Sequence, residues 1–184
     1  MKLEKIANIS IGIMQNREEK KDGQFEYKIF NIKNYEYNAD YPEFNTDKNL
    51  DDKLTKEGDI LFRLVYPNKV ILVEKEQENL LVPSQYCIIR PDITKVNSIY
   101  LKWYLESNKG DTSIRMELRG SSIQKISVTS LRNIEVPLLE IKKQKAITDL
   151  IKLWEEEKNV LEMLIEDKEL LYNNIIEEMI ERGQ

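Results

Sequence analysis

Several short segments of the first ninety residues are rich in apolar residues, and in the first of them the alternation of Ile6, Ile9, Ile11 and Ile13 predicts a β-strand. The segments are rich in β-branched and aromatic side chains, which favour extended structure. They cover residues 6–13, 25–32, 60–66, 69–74 and 80–90. Gly58-Asp59 and Pro67-Asn68 provide turn signals next to the central segments. Short strands at this spacing predict a curled antiparallel sheet or a small barrel.

Residues 33–57 contain aromatic side chains but no clean hydrophobic period, so we predict a long loop with short turns there. Its aromatic residues are Tyr35, Tyr37, Tyr41 and Phe44. Aromatic rings in a loop can stack on nucleic acid bases. They can also fasten the loop to its own domain, and the sequence leaves both roles open.

The period changes to helical spacing after Asn97. Apolar residues then fall on one face at Ile99, Tyr100, Trp103, Tyr104 and Leu105. Asn97 or Ser98 is a suitable N-cap, so we predict a helix with Trp103 in the core. Beyond a break at Lys109-Gly110, the residues up to 137 predict a short strand, one helical turn and an extended segment before Pro137.

Residues 140–182 contain neither proline nor glycine and predict one uninterrupted helix. Apolar residues recur along it at alternating steps of three and four, which is the seam of a coiled coil. These positions are Ile147, Leu150, Trp154, Leu161, Leu164, Leu171 and Ile175. Glu157 and Lys168 interrupt the seam with opposite charges that could face each other in an antiparallel pair. A rod of roughly 60 Å needs a second helix, from another copy or another protein, unless it folds back on its own domain.

The fold class that follows is α+β, with a mixed, mainly-β domain that carries a few helices, followed by one long C-terminal helix. We place the domain at residues 1–139 and the spacer or dimerisation helix at residues 140–184. The chain is apolar enough to form a packed core, because 41% of all its residues are hydrophobic.

The composition of the chain argues against several classes of enzyme. The chain has no histidine, so histidine-based zinc, serine or cysteine hydrolase sites lack their usual base or ligand. Its one cysteine, Cys87, excludes an internal disulfide. Neither a phosphate-binding loop nor a methyltransferase motif is present, and we predict a non-catalytic protein with no metal site. The lack of a long apolar run or a signal-peptide core indicates a cytoplasmic protein without a membrane segment.

Charge is distributed unevenly along the chain. Residues 141–184 hold 7 basic and 11 acidic side chains, which accounts for −4 of the net −5. Residues 109–132 hold five basic and two acidic side chains, a local +3. A basic patch before an acidic helix is compatible with DNA binding at one end of the protein, although a charged surface alone also explains it.

Four motifs resemble those of specificity subunits of type I restriction-modification systems. They are L-T-K-E-G-D-I-L-F-R-L at residues 54–64, L-V-P-S-Q-Y-C-I-I-R at 81–90, G-S-S-I-Q-K-I-S at 120–127 and L-R-N-I-E-V-P-L-L-E-I-K-K-Q at 131–144. Leu139 departs from the family pattern, in which a second proline is common there. Family members usually carry two target recognition domains and two spacer helices, so this chain resembles a half-length form.

The resemblance implies a sequence-specific DNA recognition subunit that reads a half-site and positions its partners. The implied partners are double-stranded DNA, a methyltransferase subunit and a restriction/translocase subunit. S-adenosylmethionine, ATP and Mg²⁺ would belong to those partners, with no cofactor in this chain. We expect a homodimer through the long helix, with a palindromic, split target. Two alternatives stay open: a coiled-coil adaptor that binds protein, and a decoy or exchangeable half-subunit for another specificity chain.

Candidate DNA-binding residues are polar, basic or aromatic side chains near the Pro67-Asn68 turn and in residues 109–132. They are Arg63, Tyr66, Asn68, Lys69, Arg115, Arg119, Ser121, Ser122, Gln124 and Lys125. Each of them could instead be a surface residue or a support of the fold.

Overall fold

The computed structural model describes residues 1–118 and 125–182. The chain divides into two compact units, Met1–Gln144 and Lys145–Gln184, and we call the first the head unit. The predicted α+β class is confirmed, since a β-rich unit precedes a long C-terminal helix.

Short strands and short helices alternate through the described part of the head unit. The strands are β1 (Ala7–Ile11), β2 (Phe25–Ile29), β3 (Glu43–Thr46), β4 (Ile60–Arg63), β5 (Val70–Leu72), β6 (Leu80–Leu81) and β7 (Tyr86–Pro91). The helices are α1 (Gln15–Glu18), α2 (Ile32–Glu36), α3 (Ser98–Glu106), α4 (Asn108–Leu118), α5 (Val128–Asn133) and α6 (Ile141–Arg182), the last of which continues through the second unit. Single 3₁₀ turns lie at Leu3–Lys5, Asp51–Lys53 and Lys75–Gln77.

Two small sheets organise the head unit. The first has the order β1-β7-β4-β5 and is antiparallel throughout. The second has the order β3-β2-β6, where β2 and β3 are antiparallel but β2 and β6 run parallel. The prediction of antiparallel pairing is therefore confirmed for the first sheet and wrong for β6. That strand returns to β2 only after the β4–β5 hairpin, and the long connection allows the parallel direction.

The core is formed by apolar side chains from both sheets. One cluster comprises Phe30, Leu61, Ile71, Val73, Leu80, Val82, Tyr86 and Ile88. A second comprises Ile13, Ile29, Phe44, Leu50 and Leu81. All of these side chains are buried, so the hydrophobic effect stabilises both sheets.

The segment predicted to be a long loop contains regular structure. Helix α2 begins after Asn31, whose side chain accepts a hydrogen bond from the Lys33 amide, and β3 pairs with β2. Tyr35 and Tyr41 pack against Phe30. Phe44 is buried, so three of the four aromatic residues fasten the segment to the head unit. Tyr37 differs, because 80% of its surface is exposed.

Helix α3 confirms the predicted N-cap, because the Asn97 side chain accepts hydrogen bonds from the amides of Ile99 and Tyr100. The prediction that Trp103 lies in the core is wrong, since 43% of its surface is exposed. The buried face is made by Tyr100, Leu101, Tyr104 and Leu105. At 100° per residue, Trp103 projects well away from the centre of that face.

An ion pair with a buried carboxylate joins the start of β4 to the end of β7. Arg90 donates from Nε to Oδ1 of Asp59 at 2.7 Å and from Nη2 to Oδ2 at 2.6 Å. The Asp59 side chain is only 2% exposed and also accepts from the Lys56 amide. Gly58 precedes it with φ +85°, a conformation that glycine adopts without strain. The motifs at residues 54–64 and 81–90 are therefore fastened to each other.

A buried amide fixes the first turn of α6 to the rest of the head unit. Gln144 accepts a hydrogen bond from the Asn97 amide at 2.8 Å. Its Nε2 donates to the carbonyls of Lys95 at 3.0 Å and Leu139 at 2.8 Å. This contact gives the glutamine of the motif at residues 131–144 a structural role.

The first residues of the chain pair with the segment before Pro137. The Met1 amino group donates to the Val136 carbonyl at 2.7 Å, and the Val136 amide donates to the Met1 carbonyl at 2.8 Å. The Leu3 amide donates to the Ile134 carbonyl at 2.9 Å. Residues 1–3 and 134–136 thus lie side by side.

Helix α6 exposes most of its apolar side chains, with Ile151 as a buried exception among the described residues. Every residue from 152 to 182 is exposed. Of the predicted seam residues, Leu150, Trp154, Leu161, Leu164, Leu171 and Ile175 are each at least 43% exposed. Ile147 is partly exposed. None of the helices described is long and apolar enough to cross a membrane.

Candidate nucleic-acid interface

The hairpin between β4 and β5 carries four of the predicted site residues. The Arg63 amide donates to the Lys69 carbonyl at 2.8 Å, which closes the hairpin. The Asn68 side chain donates to the Arg63 carbonyl at 2.8 Å and supports the turn from inside. Tyr66, at the start of the turn, is partly exposed. The hairpin therefore presents a polar and aromatic tip on a fixed backbone.

Helix α4 adds a basic residue to this tip. Arg115 donates from Nη2 to the Tyr66 hydroxyl at 2.9 Å, and its Cζ lies 5.2 Å from the centre of the Tyr66 ring. Arg115 also donates from Nε to Oδ2 of Asp111 at 2.6 Å. The hydrogen bond to Asp111 is the main cause that raises the pKa of Arg115 above its ordinary value. The guanidinium is therefore charged and held by two residues.

Gly110 allows α4 to begin directly after α3. A Cβ atom at this position would overlap the Tyr104 carbonyl oxygen. Ser107, between the two helices, accepts a hydrogen bond from the Gly110 amide at 3.2 Å. The close approach at Gly110 therefore helps to set the direction in which α4 presents Arg115.

A second ion pair, besides that of Arg115 with Asp111, connects helix α2 to the hairpin. Lys69 Nζ contacts Oε1 of Glu36. Both side chains are substantially exposed, so this pair contributes little to stability. The exposed Tyr37 follows Glu36 directly in the sequence.

Lys125 reaches the hairpin through the backbone. Val65 and Lys125 form an antiparallel bridge, and the Ile126 amide donates to the Leu64 carbonyl at 2.9 Å. The Lys125 side chain is exposed. Four other predicted residues, Arg119, Ser121, Ser122 and Gln124, lie outside the residues that the structure describes.

The six predicted residues that are described form one connected group, which we call the turn cluster. It comprises Arg63, Tyr66, Asn68, Lys69, Arg115 and Lys125. Two of its basic residues have acidic partners, Glu36 beside Lys69 and Asp111 beside Arg115. Together with these carboxylates, the turn cluster holds four basic and two acidic side chains. Sequence reasoning missed both carboxylates. The spacing of four between Asp111 and Arg115 on a helix could have revealed one of them.

Other reactive groups are few in the described residues. Burial raises the pKa of the Cys87 thiol to about 11, so this side chain stays protonated near neutral pH. No group of three or more acidic, cysteine or histidine residues in ranges 1–118 and 125–182 is placed to hold a metal ion.

The turn cluster offers hydrogen-bond donors and positive charge, which are the means of contacting phosphate and base edges.

No protein-family model matches the chain, and no curated protein matches it. Solved structures do match its fold. The S subunit of a type I restriction-modification system from M. genitalium has a TM-score of 0.57 and 19% identity over 90% of this chain. The HsdS subunit from Thermoanaerobacter tengcongensis has a TM-score of 0.66 and 15% identity over 89% of this chain. A third chain, from a study of type I R-M complex assembly and conformational transition, has a TM-score of 0.67 and 14% identity.

These similarities show that the chain has the fold of type I restriction-modification S subunits. It covers 41% and 43% of the first two solved chains, so it spans about two-fifths of their length.

Proposed function

We propose that the chain is a non-catalytic, sequence-specific DNA recognition subunit of a type I restriction-modification complex. The observation that carries the proposal is the S-subunit fold, which extends over about nine-tenths of this chain. The motifs that resemble specificity subunits in sequence provide independent support, because they occur in the family's order.

The turn cluster is the part of the head unit that we assign to DNA. Its hairpin backbone is fixed by the bonds between Arg63, Asn68 and Lys69, so the tip does not have to be ordered on binding. Lys125 and Arg115 are exposed and add charge from two other segments. We place Arg119, Ser121, Ser122 and Gln124 in the same interface because they directly precede Lys125 in the sequence.

Catalysis would belong to other subunits. We propose that the chain positions a methyltransferase subunit that uses S-adenosylmethionine and a restriction/translocase subunit that uses ATP and Mg²⁺. We further propose that two copies associate through the exposed seam of α6. Two identical recognition units related by a two-fold axis would read a palindromic, split target.

The test is genome-wide mapping of methylated bases in source cells with and without this gene. Loss of one split, palindromic methylated motif is the expected result, and returning the gene should restore it. A gene with Lys125→Ala should restore less methylation because one phosphate or base contact is lost. A gene with Lys152→Ala, which removes one positive charge from an exposed position of α6, should restore it fully.

Other outcomes separate the alternatives. Loss of an asymmetric split motif would mean that the chain works beside a different specificity chain, as an exchangeable half-subunit does. If no motif changes although an active methyltransferase subunit binds the protein, the DNA-recognition role is wrong. A coiled-coil adaptor would then remain as the better explanation of the exposed helix.

A further inference from the structure

Two different segments fix the orientation of the Arg115 guanidinium. Asp111 accepts from its Nε at 2.6 Å, and Tyr66 accepts from its Nη2 at 2.9 Å. The Tyr66 ring also lies against the guanidinium, with 5.2 Å between Cζ and the ring centre. These contacts come from α4 and from the β4–β5 hairpin, so the side chain cannot rotate freely without breaking at least one of them.

The contacts leave part of the guanidinium available. Arginine has five N–H donors in one plane, of which Asp111 and Tyr66 use two. Three donors remain, two on Nη1 and one on Nη2, and the structure shows no other hydrogen bond of Arg115 within the described residues. The side chain is 58% exposed, so these donors can reach a partner outside the protein. Paired donors on adjacent nitrogens fit two acceptors that lie in one plane.

Arg115 could donate to a phosphate group or to a base edge, and the presence of Asp111 makes one of these acceptors more suitable than the other. A phosphate group is attracted by net charge, and Asp111 reduces the net charge beside Arg115. Asp111 would therefore weaken a contact that serves only phosphate. A guanine base offers N7 and O6 as two coplanar acceptors in the major groove, and recognition of this edge depends on the orientation of the guanidinium. For a base contact, the orientation that Asp111 imposes is useful and the lost charge matters less.

We propose that Arg115 reads a guanine of the DNA target through its Nη1 and Nη2 donors, and that Asp111 and Tyr66 are the positioning residues for this contact. The inference rests on the proposed function, since it requires that the head unit binds DNA. It assigns one base of the target. It also gives Asp111 a role in specificity, although the negative charge of this residue does not attract DNA.

The test is selection of bound sequences from a random duplex DNA library. The selection uses the full chain together with the methyltransferase subunit encoded nearest to its gene. The wild-type complex should select a motif with a guanine preferred about 5- to 150-fold at one position, the range for a bidentate arginine contact. Arg115→Ala should abolish the preference at that position and leave the other positions of the motif unchanged.

The Asp111 variants give a readout that a purely structural role would not produce. Asp111→Asn should lower the guanine preference several-fold, yet raise affinity for random duplex DNA, because a negative charge is removed. Asp111→Glu should retain most of the preference, since a glutamate four residues before an arginine can form the same pair. Tyr66→Phe, which removes only the hydroxyl, should lower the preference less than Arg115→Ala does.

The outcomes that would overturn the inference differ from those that would overturn the function. If Arg115→Ala weakens binding to all sequences equally, Arg115 contacts phosphate and the inference is wrong. It is also wrong if Asp111→Asn leaves the guanine preference intact. If the wild-type complex selects no motif, the proposed function itself fails.

Discussion

Large apolar side chains have opposite environments in the two parts of this molecule. In the head unit, Ile60, Leu61 and Phe62 of β4 are completely buried among other residues of the same chain. In α6, every residue from 152 to 182 is exposed, although Leu161, Leu164 and Leu171 are as apolar as those of β4. The buried apolar side chains stabilise the head unit without a partner. The exposed apolar side chains of residues 152–182 contribute to stability only when a partner covers them.

The largest effect that we expect is on association through α6. Combining Leu161→Asp with Leu164→Asp places two charges in the proposed seam, where burial without a partner is very unfavourable. We expect the dissociation constant for self-association to rise by about 1,000-fold or more, measured by analytical ultracentrifugation. The urea unfolding curve of the head unit should stay the same.

A matched control adds the same charge to the other side of the helix. Asn159→Asp combined with Asn173→Asp also introduces two carboxylates, but these positions lie away from the proposed seam. This variant should associate like the wild type. Equal loss in both variants would mean that net charge, and not the seam, governs association.

The next largest effect concerns the ion pair between Arg90 and the buried carboxylate of Asp59. Asp59→Ala should lower the free energy of unfolding by about 3 kcal/mol, because removal of one partner leaves Arg90 without its carboxylate. Urea unfolding followed by tryptophan fluorescence measures the change. Asp52→Ala is the control, because Asp52 pairs with Lys53 on the surface and its side chain is 72% exposed. If both variants unfold alike, the ion pair does not fasten the two motifs.

A smaller effect is expected at the start of α6. Gln144→Ala removes the acceptor for the Asn97 amide and the donor to two carbonyls, at a cost of about 2 kcal/mol. Lys143→Ala changes the neighbouring exposed residue and should leave stability nearly unchanged. A loss in the Gln144 variant no larger than in the Lys143 variant would contradict the structural role of the glutamine.

The smallest effect is a change in the reactivity of Cys87. Alkylation requires the thiolate, and burial raises the pKa of this thiol to about 11, so the folded protein should react very slowly at pH 8. Labelling with iodoacetamide should accelerate only when urea opens the head unit. The α6 variant with Leu161→Asp and Leu164→Asp should label as slowly as the wild type, and rapid labelling would show that the head unit depends on association.

Local patterns predicted much of this fold. The alternating isoleucines predicted β1, and Asn97 predicted the start of α3, because each signal depends only on neighbouring residues. The absence of proline and glycine likewise predicted α6. Strand β3 and the exposure of Trp103 were not predicted. Both depend on which surfaces meet in three dimensions, and neither the period nor the residue type contains that information.

The candidate site was predictable in part. A strand followed by Pro67-Asn68 marked the hairpin tip and its polar residues. The contact between Tyr66 and Arg115 joins residues 49 positions apart, and no local pattern connects them. Similarly, Glu36 pairs with Lys69 across 33 positions. The sequence therefore indicated the residue types of the turn cluster but not how its charges are paired.

The pairing of residues 1–3 with residues 134–136 affects how the region between them can be exchanged. The chain enters and leaves this region at neighbouring points, with Met1 and Val136 joined by two backbone hydrogen bonds. A region with adjacent ends can be exchanged as a cassette without stretching the connections on either side. Residues 1–136 can therefore be exchanged as one segment while the remaining sequence, from Pro137 onward, stays the same.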